Sequence, residues 1–132
     1  MNQKVLKTLE YNKIIHQLTG YAASAPGKLL CQNLLPMSDY HEIVQAQTET
    51  SDALTRVRMK GSLSLSGIRD VRDSLKRLEI GSALGIPELL SISSLLTVAA
   101  RAKAYGHHEE SEEFPDDSLD QMFRSLEPLT PA

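Results

Sequence analysis

The densest set of metal-ligating side chains in the sequence is a histidine pair followed by glutamates: His107, His108, Glu109, Glu110, Glu112 and Glu113. Imidazole and carboxylate donors can hold zinc or a two-metal centre, but such sites space their ligands so that the side chains converge, and adjacent histidines project in different directions. No metal site is expected. Cys31 sits among Leu29, Leu30, Leu34 and Leu35, which describes a small buried hydrophobe rather than a nucleophile. His16, His41, His107 and His108 have no serine or cysteine at a spacing that would pair a nucleophile with a base. No catalytic residue is assigned.

Basic side chains are the remaining chemistry. Arg69, Arg72, Lys76 and Arg77 form the densest cluster, and Arg56, Arg58 and Lys60 precede it by one loop. Clustered cations attract phosphate, so these seven residues are the candidate nucleic-acid contacts. Asp70, Asp73 and Glu79 are interleaved with them, which favours a solvated, salt-bridged helix face, and no aromatic suited to base stacking lies in the region. The intervening Gly61-Ser62-Leu63-Ser64-Leu65-Ser66-Gly67 is not a phosphate cradle, because its second glycine leads into Ile68-Arg69-Asp70 instead of the Gly-Lys-Ser/Thr that closes a P-loop. No cofactor-binding residue is assigned.

The scaffold that must carry these groups has 132 residues, which suffice for one domain of ordinary size. The chain is 41% hydrophobic and 23% charged, enough to bury a core; aromatics are 5% and tryptophan is absent, which favours helices over a sandwich of β-branched and aromatic residues. A single cysteine excludes an internal disulfide, no stretch approaches a membrane span, and the opening residues interleave lysines with apolar residues unlike a secretory signal. A cytoplasmic, membrane-free protein is expected. Charge is uneven: residues 1–105 carry 13 Lys+Arg against 9 Asp+Glu, whereas residues 106–132 carry 1 against 8. The stretch His107–Asp117 is therefore read as an exposed acidic linker.

Every periodic segment is helical. Val5, Leu6 and Leu9 suggest a short leading helix, Asn12 can cap a helix from Lys13, and Ser24 with Pro26 opens another that runs to Leu35 before Pro36. Asp39 with Glu42 makes a capping box for a helix whose seam is Ile43, Ala46, Thr50, Ala53 and Val57. Asp70 can cap a helix ended by Gly81, and Pro87 starts the longest apolar helix, whose Leu89, Leu90, Ile92, Leu95, Leu96, Val98, Ala99 and Ala102 cover more than one face, as in a central element. Leu119, Met122, Phe123 and Leu126 form a last short amphipathic helix. The expected fold is all-α, an antiparallel bundle of five to six helices.

Several runs in order resemble the opening of the bacterial MutS type 2 family. They are Leu9-Glu10-Tyr11-Asn12-Lys13-Ile14, Ala23-Ser24-Ala25-Pro26-Gly27-Lys28, Glu49-Thr50-Ser51-Asp52-Ala53-Leu54, Gly67-Ile68-Arg69-Asp70-Val71-Arg72, Leu75–Gly81 and Ser125-Leu126-Glu127-Pro128-Leu129. Tyr11-Asn12 departs from the family's usual Phe-Asp, and the linker is richer in glutamate than expected. The resemblance implies a helical core or lever domain over residues 1–106, an acidic linker over 107–117, and over 118–132 a short terminal helix with the start of the connection to a missing remainder. It implies a longer parent with a clamp, a P-loop ATPase using ATP and magnesium, and a C-terminal Smr endonuclease domain, acting on branched DNA in recombination or on stalled ribosomes. None of those catalytic residues has a position here, so this chain is expected to be no enzyme. Its expected partners are the rest of its own polypeptide, with DNA or ribosome met through the parent, and a weak homodimer formed through the seam and the terminal stripe.

Overall fold

A computed structural model describes residues 2–107, 115–127 and 129. Among them are seven helices and no strand. Helix α1 (Gln3–Thr8) is capped by Asn2, whose side-chain oxygen accepts from Lys4 N at 3.0 Å. Helix α2 (Tyr11–Tyr21) starts one residue before Asn12, which therefore does not cap it. The start is made instead by Glu10, which adopts φ 55° and ψ 32°, breaks the chain direction after α1, and accepts Lys13 N on its carbonyl at 2.9 Å. A non-glycine residue in this left-handed region costs on the order of 1 kcal/mol. The turn makes the leading segment a helix of its own.

Helix α3 (Ala25–Gln32) has the expected Ser24 cap, with Gly27 N donating to Ser24 Oγ at 3.1 Å. It ends short of Leu35, since a residue before proline avoids the helical region and Pro36 imposes that on Leu35. Helix α4 (Tyr40–Lys60) is capped by Asp39, which accepts Glu42 N at 3.0 Å, and stops at Gly61 with φ 81°. In front of α5 (Arg72–Glu79) the cap position belongs to Val71, and Asp70, one residue earlier, accepts Arg72 N at 3.0 Å. Helix α6 (Ile86–Gly106) begins with Gly85 N donating to Glu88 Oε2 at 2.7 Å, a glutamate reaching back three residues to the chain before the helix. Helix α7 is Asp120–Arg124.

The chain divides into two compact units. Unit 1 comprises residues 1–36 and 65–94, and unit 2 comprises residues 37–64 and 95–132. In unit 1, α1, α2 and α3 pack in succession, and the Tyr11 hydroxyl donates to the Leu34 carbonyl at 2.8 Å, tying the start of α2 to the chain after α3. Val71 is buried there. In unit 2 the buried apolar residues are Val98, Ala102 and Leu119, from the second half of α6 and the approach to α7.

Two expectations about apolar faces change. Helix α6 is not central along its length: Val98, Ala102 and Gly106 are buried, but Ile86, Leu89 and Leu90 near its start are 74%, 54% and 62% exposed. The terminal stripe is largely covered, with Leu119 buried and Phe123 and Leu126 half-buried, leaving Met122 exposed. Of the α4 seam, Ile43, Ala46 and Ala53 are half-buried while Thr50 and Val57 are exposed. No helix of the described residues is long and apolar enough to cross a membrane.

Candidate functional site

The seven candidate cations fall into two sets. Arg56, Arg58 and Lys60 lie on the last turns of α4 in unit 2, and Arg69, Arg72, Lys76 and Arg77 lie before and along α5 in unit 1. Their surroundings differ more than their sequence does.

Arg56 is 6% exposed and does not stand on an open basic face. Its guanidinium takes Asp117 with two hydrogen bonds, Nε to Oδ2 and Nη2 to Oδ1, both at 2.7 Å, and Nη2 also donates to Asp120 Oδ1 at 2.9 Å. Its carbon lies 4.9 Å from the centre of the Phe123 ring. The Asp117 hydrogen bonds outweigh the loss of hydration that opposes them, and with Asp120 they hold Arg56 above the usual guanidinium range. The fork geometry explains the residue choice, since only arginine offers parallel donors to one carboxylate and a further donor to a second. Asp117, the last residue of the stretch read as an exposed linker, is thus half-buried on α4. Of the rest of that stretch, His108–Phe114 lie outside the described residues.

Neighbouring contacts extend this cluster. Asp52, one turn before Arg56, accepts both Ser118 N at 3.0 Å and Ser118 Oγ at 2.6 Å. Lys60 Nζ donates to the Tyr105 carbonyl at 3.2 Å, where the last turn of α6 leaves carbonyls without helical partners. The Tyr105 hydroxyl returns to the Gly61 carbonyl at 2.8 Å, and Lys103 Nζ donates to the Leu126 carbonyl at 2.7 Å. Phe123 packs on Gly106 and beside Tyr105, ring centres 5.9 Å apart. Of this group only Arg56 and Lys60 belonged to the predicted cations; the carboxylates and the Gly106 notch escaped sequence reasoning. The spacing Asp117-x-x-Asp120, which sets two acids on one side of a turn, is the signal that could have marked them.

In unit 1 the cations are exposed, and two are held by acids. Arg72 forks onto Asp70, with Nε 2.9 Å from Oδ1, and this hydrogen bonding, helped by the Arg72 backbone N–H, lowers the Asp70 carboxyl to about 2. Arg77 pairs with Glu88 and donates to the Ala83 carbonyl at 3.2 Å, fastening α5 to the start of α6. Arg58, Arg69 and Lys76 are exposed.

The other candidate residues are placed apart. Cys31 is half-buried in α3; His16 and His107 are exposed, and His41 is exposed with its ring edge-on to Tyr40 at 5.7 Å. No group of three or more metal-ligating side chains comes together among the described residues.

No family model matches the chain. Individual proteins do. It is 54% identical over 135 residues to a protein of Lachnoclostridium phytofermentans named endonuclease MutS2, an alignment that takes in 99% of this chain and 17% of that protein. It is 49% identical to the endonuclease MutS2 of Agathobacter rectalis and 39% identical to that of Acetivibrio thermocellus, covering 98% and 96% of this chain and 16% of each relative. The chain spans about one sixth of the length of the curated relatives it matches.

Proposed function

We propose, for a chain homologous over nearly its whole length to a segment of the MutS type 2 proteins, that it serves as a helical core or lever module of a larger cytoplasmic ATPase and endonuclease. In this reading the module does no chemistry. It couples the nucleotide state of an ATPase, which would hold ATP and magnesium, to a clamp that handles branched DNA or a stalled ribosome. The observation that carries the reading is the pairing of near-complete coverage of this chain with coverage of only 17% of a relative whose name states endonuclease activity. Two features of the chain support it. Large apolar side chains stand far out of unit 1, Leu30 at 75%, Ile80 at 80% and Ile86 at 74%, a surface that other parts of a longer polypeptide would cover. The glycine-bracketed loop at residues 61–67 also lacks the lysine that a phosphate cradle requires.

The alternative is a nucleic-acid-binding module using the cluster from Arg56 to Arg77. Its supporting observation is the exposure of Arg58, Arg69 and Lys76. Against it, Arg56 is buried on two aspartates, and Arg72 and Arg77 are each held by an acid. The lever reading is the better supported.

The test uses the Lachnoclostridium phytofermentans relative at full length, with spin labels on the equivalents of α3 and α6. The distance between labels and the rest of the protein should change between nucleotide-free and ATP-bound forms, while the 132-residue chain alone turns over neither ATP nor DNA. A distance unmoved by nucleotide, or turnover by the chain alone that survives purification, overturns the reading. Binding of duplex or branched DNA by the chain at about 0.15 M salt, abolished by Arg69→Glu with Lys76→Glu, selects the alternative.

A further inference from the structure

Unit 1 carries an open groove of about 730 Å³ between α1, the start of α2 and the chain that leaves α3. Its floor is apolar: Leu6, Tyr11 and Ile15 are half-buried, and Leu34 and Leu35 remain 41% and 65% exposed. Its shape is held from both sides, by the left-handed turn at Glu10 that sets α1 off from α2 and by the Tyr11 hydroxyl that donates to the Leu34 carbonyl. Lys4 and Lys7, three residues apart on α1, stand exposed in its lining. Neither makes an ion pair among the described residues, and no carboxylate lines the groove. The one acid of residues 1–36, Glu10, is already taken by Lys13 at 2.6 Å.

We infer that this groove seats an acid-edged amphipathic helix from the part of the longer polypeptide that lies outside these 132 residues. The inference rests on the reading of the chain as one module of such a protein, and it names the chemistry of one surface within it. The groove is open to solvent, whereas a small-molecule site closes over most of its ligand. The described residues form no strand, so no sheet edge can add an extended peptide, and an apolar trough between helices takes the apolar face of another helix. Two unpaired cations with no acid beside them set the sign of that helix. Carboxylates one turn apart along its edge meet Lys4 and Lys7 while its apolar side chains cover Leu34 and Leu35. The source follows from length, since this chain accounts for only 17% of a relative that it matches over 99% of its own residues.

The chemistry is tested on the 132-residue chain with two synthetic helical peptides that share one apolar stripe, edged in one with glutamate and in the other with lysine. The glutamate peptide should bind at least about tenfold more tightly at low salt, lose that advantage as salt rises, and shift the amide signals of Leu6, Ile15 and Leu35. Lys4→Glu with Lys7→Glu, both on exposed positions, should keep the helical circular-dichroism signal and invert the preference. Equal binding of the two peptides, binding of neither, or a preference that survives the substitutions overturns the proposal. The source is tested in the full-length Lachnoclostridium phytofermentans relative with its matching segment replaced by this chain and a photo-reactive residue in place of Leu35. Cross-linking in mixed isotope-labelled protein should join that position to one acid-bearing helix of the same molecule beyond the segment. Cross-links to a second copy, or none, reject this occupant. Spin-label distances that respond to nucleotide without that cross-link would refute the groove and keep the lever reading, and the cross-link with unmoved distances would do the reverse.

Discussion

Phe123 occupies the space that a side chain at residue 106 would need. A Cβ built on Gly106 overlaps Cγ and Cβ of Phe123 and lies 2.6 Å from its Cδ1, closer than real Cβ atoms approach. Glycine is required here by neighbouring bulk, at the end of a helix whose backbone would otherwise accept any residue.

Gly106→Ala should therefore destabilise unit 2. Alanine gains up to about 1 kcal/mol in helical preference, but overpacking typically costs about 1–3 kcal/mol, and Phe123 can retreat only by giving up Tyr105 and Arg56. A net loss is expected in urea denaturation. The added Phe123→Ala should restore much of it relative to Phe123→Ala alone, a coupling that a double-mutant cycle reads directly. Equal losses in both backgrounds would show that the clash is relieved elsewhere.

Arg56→Met should be among the most costly single changes in the chain. It removes the guanidinium that Asp120, with a side chain 7% exposed, and Asp117, at 20%, both accept from, and removing one partner of a buried pair costs up to about 3–5 kcal/mol. Arg56→Lys should recover only part, because one ammonium cannot reproduce the fork. Full stability in Arg56→Lys, measured by denaturation, would reduce the cluster to simple charge balance.

How much of this was legible beforehand follows the reach of each interaction. The Ser24 and Asp39 caps and the left-handed Gly81 are local events, written in three or four consecutive residues, and they stand where periodicity put them. Glu10 was missed because its left-handed turn uses a residue type that announces no turn. Arg56 and Asp117 are 61 residues apart, and composition cannot state which of eight acids in the last segment meets which cation. From the sequence Arg56 reads as a solvated cation and a candidate nucleic-acid contact, whereas its charge is spent inside the fold.

Asp70 offers a pH test of opposite weight. Its carboxyl sits at about 2, below the ordinary 3.8, chiefly through the Arg72 side chain and secondarily through the Arg72 backbone N–H. A depressed carboxyl favours the folded form above its unfolded value, and that contribution disappears as pH falls from about 4 through 2. Both groups are exposed, so the melting temperature should hardly respond. Carbon-13 NMR of the Asp70 carboxyl should find the low titration, and Arg72→Ala should raise it while stopping short of 3.8, since the backbone donor remains. A midpoint unchanged by Arg72→Ala would reject the assigned cause.

Self-association is the remaining expectation, and the fold moves its location. The terminal stripe offers little, with Leu119 buried and Phe123 packed on Gly106, and of the α4 seam only Thr50 and Val57 are exposed, so the more exposed apolar surface of unit 1 is the expected contact. Leu30 on α3 and Leu90 on α6 are 75% and 62% exposed, and burial of such side chains contributes about 1.5–3 kcal/mol each. A few of them yield a weak contact once lost rotational freedom is counted. Sedimentation at increasing concentration should show reversible association that Leu30→Gln with Leu90→Gln abolishes. The melting temperature of the dilute chain should stay nearly constant, because side chains so exposed bury little within the monomer and surface changes stay within about 0.5 kcal/mol. If the substitutions unfold the chain instead, those leucines pack within unit 1; if the unaltered chain stays monomeric at high concentration, its exposed apolar surface is too dispersed to pair with itself.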